Sequence, residues 1–196
     1  MNIQIICEQY NIINYTINSD GSIDVNGWVD LSEKGLTELP LSFNKVYGNF
    51  FCGDNKLTTL KGSPRWVDGS FFCSDNKLTS LEFSPDYIGV DFGCRENYLT
   101  DLVGSPKEVG GYFNCNDNYD LTNPKGVSEK IGDVFYCTNS KLEYIFNGVD
   151  RHFLYTFNFY KIIKDDTVNL KRLKYVMDLY DKPIKLDKIQ KYYRLV

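Results

Sequence analysis

Residues 69–85 read GSFFCSDNKLTSLEFSP, and nearly the same words recur on either side. GNFFCGDNKLTTLKGSP stands at 48–64, VDFGCRENYLTDLVGSP at 90–106, GYFNCNDNYDLTNPKG at 111–126 and DVFYCTNSKLEYI at 133–145. Cys52, Cys73, Cys94 and Cys115 are spaced by 21 residues, and Cys137 follows after 22. A fixed period of this length predicts a solenoid, one short unit stacked on the next. Phe and Cys alternate with variable residues, the period-2 mark of a short strand with one buried face. The predicted class is therefore a β-rich repeat solenoid of about six units. It would carry an N-terminal β-hairpin cap over 1–27, the repeats over 28–146, and a basic, partly helical C-terminal cap over 147–196.

Each slot has a physical reason. Phe50, Phe71, Phe92, Phe113 and Phe135, with the cysteines two residues on, are predicted to face the interior. Asn55, Asn76, Asn97 and Asn118 follow each strand, where an amide side chain can satisfy backbone groups of the turning chain. In the last copy Ser140 takes that slot, and in a degenerate first copy (Val29, Leu31, Leu36) Lys34 does. Leu57 and Leu60 fill the space behind the turn. Gly62 with Pro64, Pro85, and Gly104 with Pro106 punctuate the return segment, which predicts loops, turns or 3₁₀ pieces there. Val67, Ile88 and Val109 follow at a fixed offset and are expected to point inward. An extra residue near Tyr119 or Asp120 is expected to bulge outward.

The unit x-F-x-C-x-x-N-x-L-T-x-L-x-G-S-P-x-x-V resembles the leucine-rich repeat, with Phe and Cys in the two central Leu slots. The continuation GLTELPLSF after Lys34 looks like the short bacterial type. The resemblance runs from about Trp28 to Ile145. It implies a protein-binding scaffold.

Six cysteines invite disulfides, yet side chains stacked one repeat apart, about 4.8 Å, are parallel and poorly aimed for a bridge. Reduced core thiols are expected. No C-x-x-C pair suggests a metal site, and no cofactor is expected. Cys7 lies outside the register.

Hydrophobic residues make up 42% of the 196 and charged ones 24%, which is globular composition. The N-terminus has no basic n-region, and no apolar run is long enough for a membrane span, so a cytoplasmic protein is expected. The Asn, Lys, Tyr and Ile bias fits an AT-rich genome, bacterial or phage.

Near the N-terminus, NYTINSDGSIDV reads as two strands around a turn at Asn18–Gly21. Residues 147–196 hold 11 Lys/Arg against 6 Asp/Glu, whereas the first 146 hold 11 against 20. Asp166 is a candidate N-cap for a helix with Leu170, Leu173, Val176 and Met177 on one face, ending before Pro183. The aromatic stretch RHFLYTFNFYKII (151–163) needs burial, and LDKIQKYYRLV is short helix or strand.

Chemistry is sparse. His152 is the one histidine, and no nucleophile elbow, phosphate loop or zinc helix appears, so no catalytic residue is expected. Two outward columns are expected on the exposed sheet and hold the candidate partner-binding positions: Trp28, Tyr112 and Val134 in one, which also carries Asn49, Ser70 and Asp91, and Phe51, Phe72 and Tyr136 in the other, with Arg95 nearby. Exposed aromatics on a rigid sheet are typical anchors. A third column, Asp54, Asp75, Glu96 and Asp117 with Glu33 before it, is either an acidic stripe for a basic partner or a set of caps on the local turns.

The expected function is non-enzymatic docking of a protein on the exposed sheet, as in a phage-encoded inhibitor of a host system. The alternative is binding of nucleic acid or an acidic partner by the basic segment (Lys171, Arg172, Lys174, Lys188, Lys191, Arg194), against which the acidic repeats count. An enzyme centred on His152 is a third possibility.

Overall fold

The structure, a computed structural model, describes residues 2–150, 152–153, 162–164 and 167–196. It is a β-solenoid with two parallel ladders. The front ladder runs Val29–Asp30, Phe50–Phe51, Phe71–Phe72, Phe92–Gly93, Phe113–Asn114 and Val134–Tyr136, and Val149–Asp150 closes it antiparallel at the C-terminal end. The return ladder runs Ile23–Val25, Phe43–Val46, Trp66–Val67, Tyr87–Ile88, Glu108–Val109 and Lys130–Ile131, with Tyr15–Ile17 antiparallel at its N-terminal end. Gly62 with Pro64, Pro85, and Gly104 with Pro106 lie in turns and loops as their residues predict, but a short strand that the sequence does not announce follows each of them. From Trp66 onward each return strand has only two residues, which leave no alternation to read in sequence, while Val46, Val67, Ile88, Val109 and Ile131 all turn inward and are buried.

The core is a file of identical slots. Phe50, Phe71, Phe92, Phe113 and Phe135 are fully buried, with neighbouring ring centroids 4.8–6.1 Å apart. Phe43 extends the file at one end, and Phe146 and Phe153 at the other. Aromatic neighbours at these distances add about 0.5–1.5 kcal/mol per pair beyond the burial of their area. Six cysteines are free and buried. Cys7 is among them because residues 3–9 form a helix, α1 (Ile3–Gln9), which buries Ile6 and Cys7 and joins Cys7 and Ile3 to the core. The N-terminal cap is therefore a helix followed by the Tyr15–Val25 hairpin. IQIICEQ carries its apolar residues too densely to show a helical stripe.

An asparagine ladder locks coil to coil. Asn76 Nδ2 donates to Cys52 O of the preceding coil (2.9 Å) and to Cys73 O and Ser74 O of its own (both 3.1 Å), and its Oδ1 accepts from Leu57 N (2.9 Å). Asn97 and Asn118 repeat this pattern. Asn55 does the same with the first copy, bonding Leu31 O, Lys34 N and Leu36 N. The ladder stops at Ser140, whose shorter side chain reaches only Cys137 O and Leu142 N in its own coil. The extra residue of the fourth full copy leaves Tyr119 and Asp120 exposed and returns Leu121 to the core.

The C-terminal module comprises α2 (Glu143–Phe146), a small sheet of Ile163–Lys164, Thr167–Val168 and Arg194–Leu195, α3 (Leu170–Leu179) and α4 (Leu186–Ile189). Leu173, Val176 and Met177 form the buried face of α3, and its N-cap is Asn169, whose side chain accepts from Arg172 N at 3.0 Å. Asp166, the residue the sequence favours as cap, lies outside the described residues, as does most of the aromatic stretch 151–163. The module is tied to the solenoid by the phenyl file and by the Tyr193 hydroxyl, which donates to Thr122 O.

Candidate functional site: the outer face of the front ladder

Outward side chains of the front strands change from coil to coil while the inward ones repeat. One column reads Phe51, Phe72, Gly93, Asn114, Tyr136. Phe51 and Phe72 stack in parallel, with centroids 5.8 Å apart and planes 4° from coplanar. Both are half-buried: Phe51 is covered by the Phe72 ring, and Phe72 leans over Gly93 and fills the space a side chain there would take. Tyr112 and Tyr136 meet edge to face at 6.1 Å. Burial, and then the nearby Asp91 carboxylate, push the Tyr112 hydroxyl above its usual pKa. Val134 is half-buried, and Trp28, at the first coil, is 61% exposed.

The neighbouring column is partly committed to structure. Asn49 Oδ1 accepts from Ser70 N (2.8 Å), Ser70 Oγ from Asp91 N (3.2 Å), and Asp91 Oδ1 from Tyr112 N (3.0 Å). Ser70 is buried. Where sequence alone predicts open surface, this column is a second ladder of caps between coils. Only Trp28, Tyr112 and Val134 remain in it as contact positions.

The acidic column has a reason other than capping. Glu33, Asp54, Asp75, Glu96 and Asp117 all have left-handed backbones, with φ between 52° and 60°, as does Asn139 at 57°. Asp and Asn tolerate this conformation better than most residues. Among the described residues, none of the five carboxylates accepts a hydrogen bond from a backbone N–H. Three of them meet side chains instead. Arg95 lies 3.7 Å from Asp75 and 3.4 Å from Glu96, and Asn139 Nδ2 donates to Asp117 at 2.7 Å. A hydrogen bond to Asp75, reinforced by that residue's charge, raises the Glu96 pKa. The column is thus a solvent-facing acidic edge with one cation in it, running beside the aromatic face.

Three further features carry little or no sequence signal. Trp66 and Tyr87 stack on the opposite face with centroids 3.9 Å apart. Phe83 sits exposed with φ 69° in a column otherwise filled by Gly62, Gly104 and Gly126. His152 lines an open groove of about 350 Å³ with Glu108, Glu129 and Lys130, where Glu108 is held by Lys130 at 3.1 Å. Among the described residues no group of three or more His, Cys, Asp or Glu is placed to hold a metal ion, and no helix is long and apolar enough to cross a membrane.

No protein-family model matches this chain, and no curated protein or solved structure matches it significantly.

Proposed function

We propose that the chain is a non-enzymatic binding protein of the cytoplasm that docks a partner protein on the outer face of its front ladder. One observation carries the reading: inward slots keep Phe and Cys through five coils, whereas the outward column differs at nearly every coil. The fold rests on the inward residues and on the Asn49, Ser70 and Asp91 caps, so variety in the column from Phe51 to Tyr136 on a rigid frame is what recognition of an irregular surface requires. The resemblance to leucine-rich repeats supports the same conclusion. The anchors are Trp28, Phe51, Phe72, Tyr112, Val134 and Tyr136, and the flanking edge of Asp54, Asp75, Glu96 and Asp117 with Arg95 favours a partner with basic residues beside an apolar patch. A small phage-encoded inhibitor of a host protein is the form of this reading that fits the composition.

Affinity capture from the source cell tests it. Phe72→Ala combined with Tyr136→Ala is expected to lose the captured protein while the thermal melt keeps its cooperativity. Capture at undiminished strength removes the front face from consideration. The alternative partner, nucleic acid or an acidic protein on the basic segment, rests on exposed Lys171, Arg172 and Lys174 of α3. A gel shift that fades with salt would mark it.

A further inference from the structure

We propose that this chain associates head to tail with a second copy of itself, its acidic N-terminal end seating on the basic outer face of the C-terminal module. The two ends of the solenoid are opposite in charge. Residues 1–33 contain five carboxylates (Glu8, Asp20, Asp24, Asp30, Glu33) and no Lys or Arg, whereas the final fifty residues hold eleven Lys/Arg against six Asp/Glu.

Both ends also carry uncovered apolar side chains. At the N-terminal end Ile13 is 64% and Trp28 61% exposed, with Ile5 and Ile17 also open to solvent. Tyr15 pairs with Val25, and Asn26 N bonds Asn14 O at 2.8 Å. Ile13 and Trp28 flank that contact, Ile13 one residue before Asn14 and Trp28 two residues after Asn26. Ile5 and Glu8 are both exposed one turn apart on α1. At the other end α3 buries Leu173, Val176 and Met177 and presents Lys171, Tyr175 and Leu179 at i, i+4, i+8, with Lys174 beside them. Tyr175 and Leu179 are more than half exposed.

Charge selects the arrangement. Two N-terminal ends repel each other, as do two C-terminal modules, so a symmetric dimer through either end is disfavoured. The pairing of unlike ends is attractive and buries apolar surface on both sides. Such a contact is heterologous: each copy keeps one free end, and association continues beyond two. It takes up Trp28 at the edge of the front face and leaves Phe51, Phe72, Tyr112, Val134 and Tyr136 open, so partner docking on those residues is tested separately, by Phe72→Ala with Tyr136→Ala.

Sedimentation velocity on the full chain tests the proposal. The average mass of the wild type is expected to rise past the dimer with concentration and to fall with added salt. Ile13→Glu with Trp28→Glu disables one face, and Leu179→Glu with Lys174→Glu disables the other. All four residues are exposed, so circular dichroism melts are expected to match the wild type. Each variant alone is expected to associate about tenfold or more weakly than wild type. An equimolar mixture of the two is expected to form one heterodimer and nothing larger, since each supplies the face the other lacks. A wild type that stays monomeric overturns the proposal, and so do variants that associate as the wild type does. Failure of the mixture to regain a dimer overturns it too, because that result marks a symmetric contact.

Discussion

The ring of Phe72 covers the bare α-carbon of Gly93 in the next coil: a β-carbon built at position 93 would lie 2.5 Å from Phe72 Cδ1. At Gly110 the obstacle is different, because an added β-carbon would meet the backbone oxygen of Gly89 at 2.1 Å. A ring can swing, but a strand in a ladder cannot. Gly93→Ala is therefore expected to cost about 1 kcal/mol or less and to expose Phe72, whereas Gly110→Ala is expected to cost about 3 kcal/mol. Denaturant midpoints compare the two, and equal losses would show that the return ladder yields as easily as a side chain.

Asn97 is a second test of how coils are held. Asn97→Ala orphans the buried Leu78 N–H and removes the donor to three carbonyls, of which Cys73 O of the preceding coil and Cys94 O are buried. A loss of about 3 kcal/mol is expected. Ser140→Ala, which touches only its own coil, is expected to cost about 1 kcal/mol. Similar losses in urea unfolding would deny the asparagines their cross-coil role.

The thiol column predicts alkaline instability. Burial pushes the thiols of Cys52, Cys73, Cys94, Cys115 and Cys137 well above their ordinary pKa. In the unfolded chain they titrate near pH ~8.5. Below that pH both states keep their protons and the thiols add no pH dependence. Above it only the unfolded state releases them, so stability falls as pH rises, by about 1.4 kcal/mol per pH unit for each thiol. Unfolding monitored from neutral to alkaline pH is expected to be steep, and Cys94→Ala is expected to make it shallower. An unchanged slope in that variant would place the titrating groups elsewhere. A bulky alkylating dye is expected to label these thiols only in denaturant.

Phe83 occupies a glycine's backbone. Its neighbours in the column, Gly62, Gly104 and Gly126, have φ between 88° and 99°, whereas Phe83 holds φ 69° with 58% of its surface exposed. The left-handed conformation costs an L-residue about 1–2 kcal/mol, and glycine's greater freedom when unfolded offsets up to about 1 kcal/mol of the relief. Phe83→Gly is thus expected to leave the melting temperature unchanged or raise it slightly. A clear drop would mean the ring contributes packing that outweighs its strain.

How much of this was legible in the sequence depended on the length of each signal. Phe71, Cys73 and Asn76 recur in enough copies to fix strand, inward face and turn together, and the structure keeps all three in register. Trp66–Val67 and its equivalents were invisible as strands, since two residues carry no alternation and the preceding Ser-Pro reads as a turn. The carboxylates of Asp54 and Asp75 were legible as a column but not in cause, because a left-handed φ leaves the same Asp-Asn signature as a capped turn. Asn49, Ser70 and Asp91 looked like free surface because their partners are backbone groups one coil away, which no local pattern reports. α1 is not legible because Ile3, Ile5, Ile6 and Cys7 go round the helix instead of forming one apolar stripe.

Each asparagine grips its own coil and the one immediately before it, and no other, so no contact in that ladder counts how many coils there are. An in-frame duplication of one 21-residue unit between Asn55 and Asn118 would meet the same neighbours above and below that its template meets. Length in this architecture is a matter of copy number, ended where serine replaces asparagine, and every added unit would widen the outward face by one new row of residues free to diverge.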